Sequence, residues 1–325
     1  MQIPQQTPLQ LHPDLDAFLM LVEAGVASGR QQPMHTKSPA QARIDYETAS
    51  PLLDSTPDPL AQRRELSIPT RDGRQIGARL YAPAPLSTAM PQPVLLFFHG
   101  GGYCVGSLDS HDALCAALAA RTPCCVLAID YRLAPEHRFP TAFEDAVDAY
   151  RWLLQQGAEL GLDLHRMAVG GDSAGGTLAA TLALETRNDI IRPRHQLLLY
   201  PCTSAQQDSA SHRQFGSGHL LESDTLAWMF DNYLRTPEDR LDWRFAPMQA
   251  ADVAGAPSAT IVVGDHDPLL DESLAYAGKL RDAGVDVDLN ICNGMIHDFL
   301  RLANVVTDAE VIRSDIAAAL AAALR

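Results

Sequence analysis

The chain is short of positive charge. Among its 325 residues, 25 lysines and arginines stand against 40 aspartates and glutamates, a formal net charge of −15. A surface of that sign repels phosphate backbones and anionic lipid, so nucleic acid and membrane surfaces are poor partners. Long hydrophobic runs are missing too. No stretch approaches the roughly 18 apolar residues that a spanning helix needs. The opening segment, residues 1–11, is rich in glutamine and proline and has no basic stretch followed by an apolar one, so no signal peptide is expected. Cysteine is sparse, six in all and none at CxxC spacing, and the histidines do not cluster as zinc ligands do. The expectation is a cytoplasmic protein with reduced, mostly buried thiols and no metal.

What is present is a rhythm. Leu15, Phe18, Leu19 and Val22 recur at helical spacing, and Ser38-Pro39 reads as a helix start. Residues 51–59 read as a linker. Beyond about Glu65, strand-like runs (75–81, 94–99, 124–130, 166–170, 196–200, 259–264, 285–292) alternate with helical ones (108–120, 142–156, 174 onward, 271–283, 305–324). This predicts an α/β fold, a mostly parallel sheet covered by helices on both faces. Residues 203–221 break the rhythm with a polar, irregular segment, and a helical stripe follows at Leu226, Met229, Phe230, Tyr233 and Leu234. That reads as an insertion above the sheet.

Two glycine-rich joints carry the chemistry. Gly171-Asp172-Ser173-Ala174-Gly175 lies between a predicted strand and a predicted helix. A sharp strand-to-helix turn brings two backbones together, so the positions two before and two after the serine need glycine. The strained turn lifts the hydroxyl above the sheet edge and sets it at a helix N-terminus. The other joint, His99-Gly100-Gly101-Gly102, ends a second apolar strand. Its amides can point into open space as an oxyanion hole requires, and it lacks the lysine of a nucleotide-binding loop. His99 is read as a structural residue bonded to the loop backbone.

A serine needs a base, and in this fold the order is serine, acid, histidine. Of the downstream histidines (His195, His212, His219, His266, His297), His297 follows a strand and a turn at residues 293–296, which suits the ligand-binding edge of an open sheet. The acid should follow the preceding strand. Pattern alone leaves Asp265, Asp267 and Asp271 open.

Taken together, these residues resemble the hormone-sensitive lipase family, the family IV carboxylesterases of the α/β-hydrolase superfamily. The resemblance rests on H-G-G-G at 99–102, Y-R-L-A-P-E-H at 131–137 with Phe139-Pro140, G-D-S-A-G-G at 171–176, Asp267-Pro268-Leu269 and G-M-I-H at 294–297. It covers about three quarters of the chain. It implies an α/β-hydrolase fold with a helical cap, and a triad of Ser173, Asp267 and His297, with oxyanion donors at Gly101, Gly102 and Ala174. No organic cofactor or metal is implied. The expected division is 1–50 as the N-terminal part of the cap, 51–202 and 246–325 as the core, and 203–245 as the cap insertion. Residues 131–137 would be scaffold. Arg213, Phe215, Trp228, Phe230 and Trp243 are candidates for lining the pocket. The implied activity is hydrolysis of short-to-medium acyl esters of small molecules through an acyl-enzyme. The same triad could serve an amide, a lactone or acyl transfer, and a small-molecule binding protein with a dead site is a further alternative. Family members often form dimers, and nothing in the residues selects an interface. One departure stands out: the family usually has glycine after the histidine, and here Asp298 follows. The favoured expectation is that its carboxylate points away and is inert; pointing inward, it would raise the base pKa.

Overall fold

A computed structural model describes residues 10–325. Residues 1–9, the start of the expected N-terminal cap part and of the segment read for a signal peptide, lie outside the described residues.

The strands are β1 (Gln62–Pro69), β2 (Gln75–Ala82), β3 (Gln92–Phe98), β4 (Cys125–Asp130), β5 (Leu162–Asp172), β6 (His195–Leu199), β7 (Ser258–His266) and β8 (Val287–Ile296). They form one sheet in the order β1-β2-β4-β3-β5-β6-β7-β8. From β4 to β8 every pairing is parallel; β1 and β2 are antiparallel additions at one edge. Continuous burial along β3 is what a central parallel strand, covered on both faces, requires. Its side chains alternate between two cores. Val94, Leu96 and Phe98 pack with α4 (Thr141–Gln156), α5 (Ala174–Glu185) and α8 (Leu270–Asp282). Leu95 and Phe97 pack with α3 (Asp112–Ala120) and α9 (Asp308–Ala323). The same alternation sends Cys124 and Cys125 into opposite cores. All six cysteines are free thiols, and only Cys292 is not fully buried. No helix among the described residues is long and apolar enough to cross a membrane.

Several predicted boundaries shift, each for a local reason. Helix α2 (Pro39–Leu53) starts where expected, with the Ser38 hydroxyl accepting from the Gln41 amide. It then runs through Pro51 into the expected linker, because Ser50 is buried and Leu53 packs on the core. Helix α3 begins at Asp112 rather than 108, since Ser107 and Ser110 spend their hydroxyls on local backbone and side-chain bonds that compete with a helix. Within the irregular 203–221 segment lies a short helix, α6 (Ala210–Phe215), capped by Ser209. Strand β1 went unread as a strand, its exposed charged positions hiding the alternation. The expected turn at 293–296 belongs to β8, where Gly294 takes φ +72° and donates its amide to Asp265 Oδ1 at 2.7 Å. The strand thus delivers His297 directly.

Helices α1 (Pro13–Ala27) and α2 lie on one side of the sheet's C-terminal edge, and α7 (Ser223–Tyr233) closes from another. Tyr233 of α7 stacks on Tyr103 of the glycine loop at 3.8 Å between ring centroids. Arg43 of α2 donates to the carbonyls of Cys104 (2.8 Å) and Ala134 (2.6 Å) and pairs with Glu136.

Candidate active site

Strand β5 ends at Asp172 and α5 begins at Ala174, so Ser173 alone makes the turn, at φ 52°, ψ −118°. A side chain strains at that backbone angle, and the surrounding glycines explain how it is tolerated. A Cβ on Gly171 would overlap the Gly175 and Phe98 backbone, and one on Gly175 would enter the Phe98 carbonyl. The joint holds only because both positions are bare. The Ser173 amide donates to Leu199 O at 2.8 Å, which pins the turn to the end of β6.

His297 lies directly above. Its Nε2 is 3.0 Å from Ser173 Oγ, and its Nδ1 is 2.8 Å from Asp267 Oδ2. Asp267 is fully buried, and its other oxygen accepts the Leu269 amide at 2.7 Å. Of the three acids left open by pattern, Asp265 bonds His266 and the Gly294 amide, and Asp271 accepts the Ser211 amide. Only Asp267 meets His297. The other histidines go elsewhere: His195 to Ser258 and Thr260, His212 to Ser209, and His266 to Asp265. Burial alone would lower the pKa of His297. The Asp267 carboxylate, by charge and by hydrogen bond, outweighs it, with help from Asp298 and Asp172, and the imidazole ends above its ordinary value.

The glycine loop borders the same space. Gly101 and Gly102 take φ +106° and +57°, and with Ala174 they line the cavity that holds Ser173 and His297. The Gly101 and Gly102 amides have no protein acceptor among the described residues. Asp172, buried beneath, accepts the Gly100 amide at 3.0 Å and faces His111 Nε2 at 3.2 Å. This fixes the glycine loop against the serine turn. His99 bonds the Gly100 carbonyl at 2.7 Å and stacks on Tyr131, whose hydroxyl donates to the His99 carbonyl. Burial pushes His99 down to about 3, so it stays neutral and structural.

The cavity is about 750 Å³. Of the five predicted lining residues, only Phe230 borders it. Phe215 packs instead on His266 and His219, Trp243 on Phe143, and Arg213 bonds the Asp208 carbonyl; Trp228 packs against the core. Much of the wall comes from α1, α2 and the turn between them, including Met20, Val22, Val26, Met34 and Tyr46. Asp298 stands in a left-handed turn (φ 64°), and its carboxylate pairs with Arg301 at 2.7 Å and borders the cavity.

A serine held in a strained strand-to-helix turn, with a histidine and carboxylate delivered from the ends of later parallel strands, defines an α/β hydrolase. The family pattern described as the alpha/beta hydrolase fold matches residues 95–301. An ethyl acetate hydrolase of Pseudomonas putida is 44% identical over 93% of this chain and 96% of its own. Carboxylesterase NlhH of Mycobacterium tuberculosis is 38% identical over 72% of this chain and 74% of its own. Among solved structures, a thermostable esterase from Pseudomonas putida superposes with a TM-score of 0.91 at 32% identity, covering 99% of each chain. An ester hydrolase from the metagenome of Lake Arreo gives 0.91 at 33%, covering 96% of this chain and 99% of its own. The chain belongs to the α/β-hydrolase family, in its family IV carboxylesterase branch.

Proposed function

We propose that this carboxylic ester hydrolase uses Ser173 as nucleophile, His297 as general base and acid, and Asp267 as the orienting carboxylate. The observation that carries the reading is the unbroken line from Ser173 Oγ through His297 to Asp267, with both links at or below 3.0 Å. His297 Nε2 takes the hydroxyl proton as Oγ attacks the ester carbonyl. Charge builds on the carbonyl oxygen, and the amides of Gly101, Gly102 and Ala174 stabilise it. Asp267 holds Nδ1–H and so presents Nε2 unprotonated; it then steadies the imidazolium. The imidazolium protonates the leaving alcohol, and the acyl group stays on Ser173. Water, deprotonated by His297, then releases the acid.

Residues 1–50, of which 10–50 are described, and 203–245 are read as a two-part cap over this chemistry. Short-to-medium acyl esters suit a cavity of about 750 Å³ with apolar walls. Six free thiols, five of them buried, support a reducing, cytoplasmic setting. The test is hydrolysis of p-nitrophenyl esters from acetate to palmitate by the wild type and Ser173→Ala. Short esters should be cleaved, with kcat falling on the order of 10⁴-fold or more in the variant. Equal rates in the two proteins would refute Ser173 as nucleophile, and a maximum at palmitate would refute the acyl range.

A further inference from the structure

The residue after the base is charged, and its counterion reaches far beyond it. Arg301 is buried at the heart of four contacts. One terminal nitrogen donates to Asp298 Oδ2 at 2.7 Å and to the Tyr46 hydroxyl. The other donates to Ser50 Oγ at 2.9 Å and to the Ser110 carbonyl at 3.0 Å. Tyr46 and Ser50 belong to α2, the helix over the pocket. Ser110 leads on: its hydroxyl meets His111 Nδ1 at 2.9 Å, and His111 faces Asp172 under the glycine loop. One guanidinium therefore ties together the turn that carries His297, a pocket-wall helix and the support of the glycine loop. A planar fork with several fixed donors can serve these acceptors at once, which an ammonium cannot.

The charges beside His297 make this more than packing. Asp267 and Ser173 bond it, Asp298 adjoins it in sequence, and Asp172 lies below. Tyr200 packs edge-on against it at 4.9 Å, and the Tyr200 hydroxyl also reaches Asp298 Oδ1 at 3.4 Å. Facing Asp298 are Arg301, Tyr200 and, through Arg301, Tyr46. Arg301 is the one cation in this group, against three aspartates. Without it, Asp298 would act on the imidazole as an uncompensated anion.

We infer that Arg301 is a positioning residue for the hydrolysis: it neutralises Asp298 beside His297 and locks the histidine turn to helix α2. The inference rests on His297 being the base. It gives a reason for a charged residue directly after the base. Asp298 supplies the handle by which Arg301 grips the turn, and Arg301 cancels the electrostatic cost of placing a carboxylate there.

The two residues pull the base in opposite directions, which a purely structural role does not predict. Removing the anion disfavours the imidazolium, so Asp298→Asn lowers the pKa of His297. Removing the cation exposes Asp298, so Arg301→Met raises it. Each shift should be about half a unit or more, and the double variant should return close to the wild-type value. The readout is NMR titration of the His297 imidazole in the Ser173→Ala protein, with His297→Asn to assign the signal. This needs no turnover, so it stands apart from the ester assay that tests the proposed function. In the active protein, the acidic limb of kcat/KM should move the same way. Arg301→Lys keeps the charge but loses the fork; its titration should stay near wild type while kcat falls severalfold. If Arg301→Met does not fold by circular dichroism, Asp298→Asn decides alone. An unmoved titration in Asp298→Asn, or shifts of the same sign in the two single variants, overturns the inference.

Discussion

Helix α5 beneath the reactive serine and helices α1 and α2 over the pocket are built to opposite standards. In α5, every residue from Ala174 to Leu184 is buried. In α1, only Leu15 and Gly25 are buried, and in α2, only Ala42 and Ser50. Met20, Leu21, Ile44 and Leu52 stand largely exposed on those two helices. The first helix has no slack, because its start must hold a serine in a strained angle against backbone atoms of β3. The other two meet the pocket with scattered apolar side chains and are held to the core at a few points such as Arg43 and Arg301. Reaction geometry is thus invested where packing is tightest, and substrate fit where a change of side chain disturbs little else.

The sharpest way to break this comparison is to make one substitution on each side of it. Gly175→Ala drives a methyl group into the Phe98 carbonyl. Neither backbone can yield without moving the serine turn. Unfolding in urea should show a loss of more than about 3 kcal/mol, and ester turnover should vanish with it. Met20→Ala, a larger change in atoms, removes an exposed side chain and should alter stability by about 0.5 kcal/mol or less. Comparable losses in the two variants would dissolve the distinction.

A smaller effect should come from the cap side of the pocket itself. The Met229 side chain fills the space where a Gly102 Cβ would stand, and so sits against the glycine loop. Met229→Ala opens that corner without touching Ser173 or His297. The ratio of kcat/KM for longer over shorter acyl esters should rise about tenfold, the effect of one or two methylenes in an apolar pocket. A uniform fall across the series would assign Met229 to support of the loop instead.

The same division decided what could be read from the sequence. Gly171, Gly175 and the run at 99–102 announced themselves because the backbone leaves no other residue possible there. The parallel strands were legible as apolar runs, and His297 by its place after the last of them. Asp267 was legible only through resemblance, since Asp265 and Asp271 match the same local pattern and differ only in where the chain turns them. Of the five candidates for the pocket wall, four do not border it. Aromatic residues in the 203–245 segment drew attention because they are large, yet Phe215 and Trp243 pack inward, and the lining comes from positions on α1 and α2 that look like ordinary helix surface and from aliphatic ones such as Leu221, Leu226 and Met229. The surroundings of Asp298 were not legible, because its partner, Arg301, joins it to Tyr46 and Ser50, some 250 residues earlier in the chain. No local pattern records such a meeting.

At the root of the 203–245 segment lies a buried acid, Glu272 of α8. Its Oε1 accepts the amides of Thr203 at 2.5 Å and Ser204 at 3.3 Å, while Oε2 has no hydrogen-bond partner among the described residues and lies 3.6 Å from His212 Nε2. Burial dominates and pushes the carboxyl from its ordinary 4.5 up to about 8, against the two amides and with added repulsion from Asp267. The folded protein therefore binds a proton at Glu272 that the unfolded chain gives up near pH 4.5. The stability tied to that proton is complete below the ordinary value and drains away as pH rises through about 8. Glu272→Gln keeps an acceptor for Thr203 and Ser204 and carries no charge at any pH. Compared with wild type, it should gain up to about 4 kcal/mol between pH 5 and pH 8.5, read from urea midpoints at the two values. The gain would appear although the start of the 203–245 segment is anchored at this residue, because both amide bonds survive the exchange. A difference that stays constant with pH would mean that Glu272 is already ionised in the folded protein, with His212 as its protonated partner.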